Sequence, residues 1–308
     1  MSPKPKILVI GSANMDMVIQ SDHFPAPGET IIGGDFSLIP GGKGANQAVA
    51  ASRLGGEVCF ISKLGQDIFG QQNLLNYQKE GVDTQYISQI PDVPSGVALI
   101  NVDKSGENTI IVAPGANHQL LPKDLETNKA AFEKADMILL QLEIPLETVN
   151  EAVNLGRKMD IPIILNPAPA AQLPDELLSQ LFLISPNETE AEFLTGIKVH
   201  DGASAKKAAE YFLKKGVQHV IITMGASGAY LHTNTFEGIL PTEKVSAKDT
   251  TAAGDTFNGA LAVALGEGKT IKEAVNFALR AATISVQKLG AQSSIPHLNE
   301  LDSFKRVH

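Results

Sequence analysis

Short, almost wholly apolar runs separated by helix-period stretches recur along this chain, and that alternation restricts the fold more than any other feature. Residues 6–11, 58–64, 137–142, 162–165, 181–185 and 219–224 read as strands with few polar positions. Stretches 43–54, 67–80, 146–160, 188–195 and 204–215 place their apolar residues at helical spacing. A strand that is apolar on both faces must be covered on both, and strands joined through helices run parallel. The sequence therefore predicts an α/β fold with a doubly wound, mostly parallel sheet.

Two regions depart from this rhythm. Residues 15–39 and 96–112 hold β-rich pieces at 17–20, 30–32, 97–102 and 109–112, with no helix between them. They are expected either to pair as a small separate sheet, a lid of roughly residues 13–40 and 96–113, or to form edge strands of the main sheet. From residue 251 onward the pattern changes to two long helices, 252–267 and 271–288. No repeat or linker divides the chain, so residues 1–308 are read as one domain.

Charge and composition exclude several classes. The formal net charge is −9, there is no Trp, and only 5% of residues are aromatic. An acidic chain repels phosphate polymers and anionic lipid, and few rings are present to stack on bases. Nucleic acid and membranes are therefore not expected partners, whereas a small polyanion needs only local donors. Cys59 is the single cysteine and lies in an apolar run, so it is read as an inert core residue in a reducing compartment. Residues 1–6 carry no apolar leader pattern and no stretch is long enough to span a bilayer. A cytoplasmic location is expected.

Three segments carry chemistry. In 249–257, Asp-Thr-Thr-Ala-Ala-Gly-Asp-Thr-Phe, small residues lead into a helix through an acid, Asp255. A helix start offers free amides and a favourable dipole to an anion, and a carboxylate beside that anion can accept a proton. The plainer reading of Asp255 is a helix-capping acid. In 40–47, Pro-Gly-Gly-Lys-Gly-Ala-Asn-Gln, glycines permit close ligand approach and Asn46 projects from the first helical turn. Gly44 stands where a Walker A loop needs Ser or Thr, so this is no Walker motif. In 11–16, Gly-Ser-Ala-Asn-Met-Asp, there is no dinucleotide fingerprint, but Asn14 and Asp16 fall on one side of an extended chain and suit a polyol. Polar groups also follow other strands: Glu143, Asn166, Asn187 with Glu190, and the 225–228 turn. Each could be a cap or turn, yet strand carboxyl ends are where such sheets bind ligands. The histidines show no metal spacing.

Taken with the order of these segments, the 41–48 and 249–260 motifs resemble those of the ribokinase/PfkB sugar-kinase family over nearly the whole chain. The resemblance implies a Rossmann-like core with a small β-sheet lid that doubles as a homodimer interface. It further implies ATP-dependent phosphorylation of a sugar alcohol, with D-ribose at its 5-hydroxyl as the expected substrate. A fructokinase-like or nucleoside kinase is the alternative, and a non-catalytic sugar-binding regulator is a more distant one. By position, Asn14, Asp16, Gly42, Lys43, Asn46 and Glu143 would bind the sugar and Asp255 would be the base. Ala252, Ala253 and Gly254 would form the anion hole. Asn187, Thr223, Gly225, Ser227, Gly228 and Gly254 would line the ATP site, and Glu190 would hold Mg²⁺ or another divalent cation through water. A K⁺ activator would sit near Asp249, Thr251, Ser285, Lys288, Gly290 and Ser294. Leu279 falls where relatives often carry a polar residue near adenine, so at most an apolar contact is expected there.

Overall fold

The structure, a computed structural model, describes residues 3–304; Met1 and Ser2 of the stretch read for a leader lie outside the described residues. Its strands are β1 (Lys6–Ile10), β2 (Asn14–Gln20), β3 (Phe36–Gly41), β4 (Glu57–Gly65), β5 (Ile87–Ile90), β6 (Gly96–Val102), β7 (Asn108–Ala113), β8 (Met137–Leu140), β9 (Ile163–Leu165), β10 (Leu183–Ile184), β11 (His219–Thr223), β12 (Ala229–His232) and β13 (Glu237–Leu240). The larger sheet has nine strands in the order β13-β12-β11-β10-β9-β8-β1-β4-β5. Every pair from β11 to β5 is parallel. The β11-β12-β13 end is antiparallel. Its strands β12 and β13, and β5, were not among the strands expected from apolar runs.

Alternate side chains of each central strand enter opposite cores. Ile7, Val9, Leu139, Ile164 and Ile221 join one buried cluster, while Leu8, Ile10, Ile138, Leu140 and Ile222 join the other. Helices Lys43–Arg53, Ala253–Gly266 and Ile271–Ser285 cover the first face, and Leu146–Lys158 and Gly202–Lys214 the second. Burying such an aliphatic side chain contributes roughly 1.5–3 kcal/mol, which is why runs apolar on both faces settle only in a covered sheet. From β1 the chain proceeds to β4 and β5 on one side, then returns to β8 and continues through β9, β10 and β11 on the other. The reversal lies between β1 and β8, and the crevice at the carboxyl ends of strands flanking such a reversal is where ligands bind.

Residues 14–41 and 96–113 form a separate four-stranded sheet, β3-β2-β6-β7. Asn14 and Asp16 share one face of it, and Met17, Leu38, Leu99 and Ile111 make a cross-strand row on the other. On that second face Ile19, Phe36, Leu38, Leu99 and Ile111 are exposed. One expected strand is absent: residues 30–32 are irregular and Ile32 is exposed. The edge of β2 is already taken by Phe36–Gly41, and the pairing ends where Gly34 N donates to Gln20 O, so 30–32 lies beyond the last rung without a partner strand. The last long helix also ends earlier than expected, at Ser285, leaving Lys288 in the following turn. The Val286 carbonyl there accepts from the Lys248 and Asp249 amides instead of from a further turn. No described helix is long and apolar enough to cross a membrane.

Candidate active site

Helix Lys43–Arg53 begins at Gly42, whose φ of 89° belongs to the left-handed region, and a Cβ there would lie 2.7 Å from Asn14 N. Gly44 is equally constrained, since its Cβ would meet the Gly11 carbonyl carbon at 2.6 Å. These two glycines let the helix start press against the ends of β1 and β2. Residues 44–51 of the helix are all buried, and Gly259 lets helix Ala253–Gly266 approach so closely that an added Cβ would touch Ala50 Cβ at 2.6 Å. That packing sets Asn46 and Gln47 against Asp255.

Asp255 is 6% exposed and lies in the first turn of its helix, two residues after the start at Ala253. Asn46 Nδ2 donates to its Oδ2 at 2.9 Å and Gln47 Nε2 to its Oδ1 at 2.9 Å. The preceding residue, Ala252, has φ 58° and ψ 13°, a left-handed conformation uncommon for a side-chain-bearing residue. It turns the chain so that the helix starts with no side-chain cap; Ala253 N donates to Thr250 O at 3.2 Å, and its neighbouring first-turn amides remain for an anion. Nothing lies within 4 Å of a Cβ built on Gly254, so this turn faces open space.

The residues expected to bind a sugar gather at the same place. Asn14 is held by Asn117, whose Nδ2 donates to Asn14 Oδ1 at 2.7 Å, which leaves the Asn14 amide to donate elsewhere. Glu143 Oε2 accepts from Ser12 Oγ at 2.5 Å and from Lys43 N at 3.0 Å, joining the ends of β1 and β8 to the helix start. Asp16 packs against Gly41 and is buried; that burial first, then Glu143 and Asp255, push its carboxyl up to about 7, with Lys43 opposing. Burial pulls the Lys43 ammonium down, but Asp255, Glu143, Glu190 and Asp16 outweigh it and keep the group charged.

Beside this cluster, Asn187 and Glu190 form a capping box at the start of helix Glu188–Thr195. Burial raises Glu190, with the hydrogen bond from Asn187 N and the Lys43 charge opposing and Asp255 adding to the rise. An isolated parallel bridge sets Asn187 beside Thr223, and the 225–228 turn follows directly, with Gly225 and Gly228 at positive φ and Ser227 between them. Among the described residues no group of three or more His, Cys, Asp and Glu side chains is placed to hold a metal ion. Asp249 accepts from Thr251 N and Gly290 N, both at 2.8 Å, and these bonds hold its carboxyl below the usual range against burial. The 249–251 turn is thereby tied to the 285–294 segment. Within that segment Lys288 N donates to Ser285 O, Ser294 Oγ donates to Ala291 O, and Lys288 Nζ is drawn to Glu300. Leu279 is buried and lines a cavity of about 730 Å³ with Thr242, Phe277 and Arg280. The Cys59 thiol is pushed up to about 12 by burial and Asp83, an unreactive state.

Several residues of the site were not singled out by sequence. Gln47 carried no role of its own. Gln141 had a signal, a carboxamide in an apolar strand run. Ser12 and Asn117 had none beyond lying near glycines, since only the fold brings them to the site.

A nine-stranded, largely parallel sheet with a buried carboxylate in the first turn of a helix beside its switch point suits phosphoryl transfer to a small polar alcohol. The chain belongs to the PfkB family of carbohydrate kinases, whose model, described as "pfkB family carbohydrate kinase", matches residues 4–298. A ribokinase of Haemophilus influenzae is 47% identical over 298 residues, covering 97% of each chain. Among solved structures, a ribokinase from Thermotoga maritima superposes with a TM-score of 0.90 at 40% identity, covering 99% of this chain and 100% of that one. A ribokinase of Arabidopsis thaliana, complexed with ribose and ATP, also gives 0.90 at 32% identity, covering 97% and 98%.

Proposed function

We infer that this chain transfers the γ-phosphoryl group of ATP to the 5-hydroxyl of D-ribose, giving ribose 5-phosphate. The observation that carries the reading is Asp255: a buried carboxylate, gripped on both oxygens, in the first turn of the helix whose start offers free amides. Asn14, Asp16, Gly42, Lys43, Asn46 and Glu143 bind the sugar and aim its 5-hydroxyl at Asp255. ATP lies along the ends of β10 and β11, over Asn187, Thr223, Gly225, Ser227 and Gly228, with its terminal phosphate at the amides of Ala252, Ala253 and Gly254. Mg²⁺ or another divalent cation would be held by Glu190 through water and would neutralise phosphate charge. As the phosphoryl group moves, Asp255 takes the hydroxyl proton and the amides hold the developing negative charge. ATP as co-substrate and the unreactive thiol of Cys59 fit the cytoplasm. Comparing kcat/KM for D-ribose, fructose, adenosine and fructose 6-phosphate tests the reading. D-ribose is expected to be the best of the four; a preference for adenosine would overturn the sugar assignment and leave the kinase standing.

The small sheet acts as the lid over the sugar. Its outward face carries Ile19, Phe36, Leu38, Leu99 and Ile111, an apolar surface that pairing with a second lid covers. Light scattering at micromolar concentration should give twice the 32.7 kDa chain mass; the single-chain mass would reject the homodimer.

The tie between the 249–251 turn and the 285–294 segment suits a K⁺ held by backbone oxygens around Asp249, Thr251, Ser285, Lys288, Gly290 and Ser294. Such an ion fixes the turn that carries the anion-accepting amides. Activity in KCl is expected to exceed that in tetramethylammonium chloride at equal ionic strength. Equal rates in the two salts would remove the cation site.

A further inference from the structure

We propose that Gln47, oriented by Gln141 and Asn166, is a positioning residue for phosphoryl transfer, the centre of a buried carboxamide chain that holds both the Asp255 carboxylate and the turn beside it. The proposal rests on the reading of Asp255 as the proton acceptor. Gln141 Nε2 donates to Gln47 Oε1 at 2.6 Å. Gln47 Nε2 donates to Asp255 Oδ1 at 2.9 Å and to Asn166 Oδ1 at 3.1 Å. Asn166 Nδ2 in turn donates to Ser185 O at 3.1 Å. From Ser185 a second arm runs back: its Oγ donates to Asn258 Oδ1 at 2.5 Å, and Asn258 Nδ2 donates to Gly254 O at 2.8 Å. Gln47 and Gln141 are 0% exposed, and Asn166, Ser185 and Asn258 are also buried.

The direction of every bond in this chain follows from its end. An ionised carboxylate only accepts, so Gln47 must turn its amide group toward Asp255. Its oxygen then faces Gln141, which must present an amide, and its second N–H requires the oxygen of Asn166. That choice leaves the Asn166 amide for a backbone carbonyl, which Ser185 supplies. The chain is therefore polarised by Asp255. It draws one side chain from just past the end of each of β8, β9 and β10, three neighbouring strands on one side of the switch point.

Asn46 holds one carboxylate oxygen and Gln47 the other, so the plane of the carboxylate cannot rotate without breaking one bond. Without the Gln47 donor, Oδ1 swings free and the proton-accepting lone pair loses its aim. Misplacement of a reacting group by about 1 Å costs up to ~10²-fold in rate. Gln47 does not touch the sugar, so its loss acts on turnover and not on binding.

The test is Gln47→Met, which keeps the length and removes the donor, made in the full chain both alone and together with Asp255→Ala. Alone, it is expected to lower kcat by about 10–10²-fold while the KM values for ribose and ATP stay within about threefold. With Asp255→Ala it should cause no further fall in the residual kcat, because no carboxylate remains to be aimed. Gln141→Met, which touches neither substrate nor Asp255, should show a smaller fall in kcat with the same dependence on Asp255. It carries the comparison if Gln47→Met does not fold. The same fractional loss with and without Asp255 would overturn the proposal, as would a raised KM at unchanged kcat. Full activity in Asp255→Ala by itself would overturn the Asp255 reading and this one with it, whereas an inactive Asp255→Ala with a Gln47 effect independent of it would remove only the positioning role.

Discussion

Asp255→Asn is expected to lower kcat by about 10²–10⁴-fold, the range for loss of a general base, while ribose and ATP still bind. A sugar hydroxyl is a far weaker acid than a carboxylic acid, so Asp255 cannot strip its proton in the ground state. In a loose transition state the bond to the attacking oxygen forms late and the proton leaves late, at the moment a carboxylate can take it. An amide can orient the hydroxyl but cannot accept the proton. The helix-capping reading makes the opposite forecast, since Asn caps about as well as Asp. The geometry also argues against it: the N-cap position belongs to Ala252, and the Asp255 oxygens accept from Asn46 and Gln47. The substitution carries a stability effect as well. An amide nitrogen in place of one carboxylate oxygen must face the Asn46 or the Gln47 amide, donor against donor, and one hydrogen bond is lost for about 1–3 kcal/mol. Single-turnover kinetics with ribose and ATP, alongside a thermal melt, separate the two effects. Retention of more than about a tenth of wild-type kcat, above what loss of a general base allows, would show that the proton goes elsewhere.

The main sheet was legible because its signal is local. Strands such as β1 and β8 are apolar at consecutive positions, and only a sheet covered on both faces accepts that pattern. The strands at the margins were missed for the same reason. Glu237–Leu240 and Ile87–Ile90 are half-polar and lie at the two edges of the sheet, where burial is one-sided and the pattern weak. Residues 30–32 failed in the other direction: Thr-Ile-Ile favours a strand, but no partner remains for it. At the site, Asp255, Asn46 and Asp16 announced themselves through glycine-rich or small-residue turns next to a polar group. Gln47, Asn117 and Ser12 became visible only when residues about a hundred positions apart were brought together by strand order, as in the bonds from Asn117 to Asn14 and from Ser12 to Glu143. A pairing of that kind has no periodicity for a sequence to display.

Asp16→Ala is expected to weaken ribose binding by roughly 10²-fold with a much smaller change in kcat for saturating sugar. The ionised carboxylate only accepts, and a pentose offers hydroxyl donors; each charge-assisted hydrogen bond is worth ~1.5–3 kcal/mol, and every 1.4 kcal/mol is about tenfold in affinity. The group also makes binding depend on pH in a stated direction. Burial and the neighbouring Glu143 and Asp255 raise its pKa to about 7 in the sugar-free site. Ribose requires the ionised form, so below pH 7 its binding must expel a proton, and the dissociation constant should rise by up to about tenfold per pH unit as the pH falls. Above about 7 it should level off. Stability runs the other way. A carboxyl whose folded pKa lies above its unfolded value contributes stability that is fully present below the unfolded pKa, 3.8, and is lost as pH rises through about 7. Asp16→Asn lacks that loss, so its melting temperature relative to wild type should climb between pH 5 and 8 in the absence of sugar. Calorimetric titration with ribose across this range, paired with melts of the two proteins, checks both slopes. A ribose affinity independent of pH together with parallel melting curves would mean that Asp16 does not titrate in the site. Either outcome turns on one observation: burial and two neighbouring carboxylates disfavour the charge of Asp16 in the empty site.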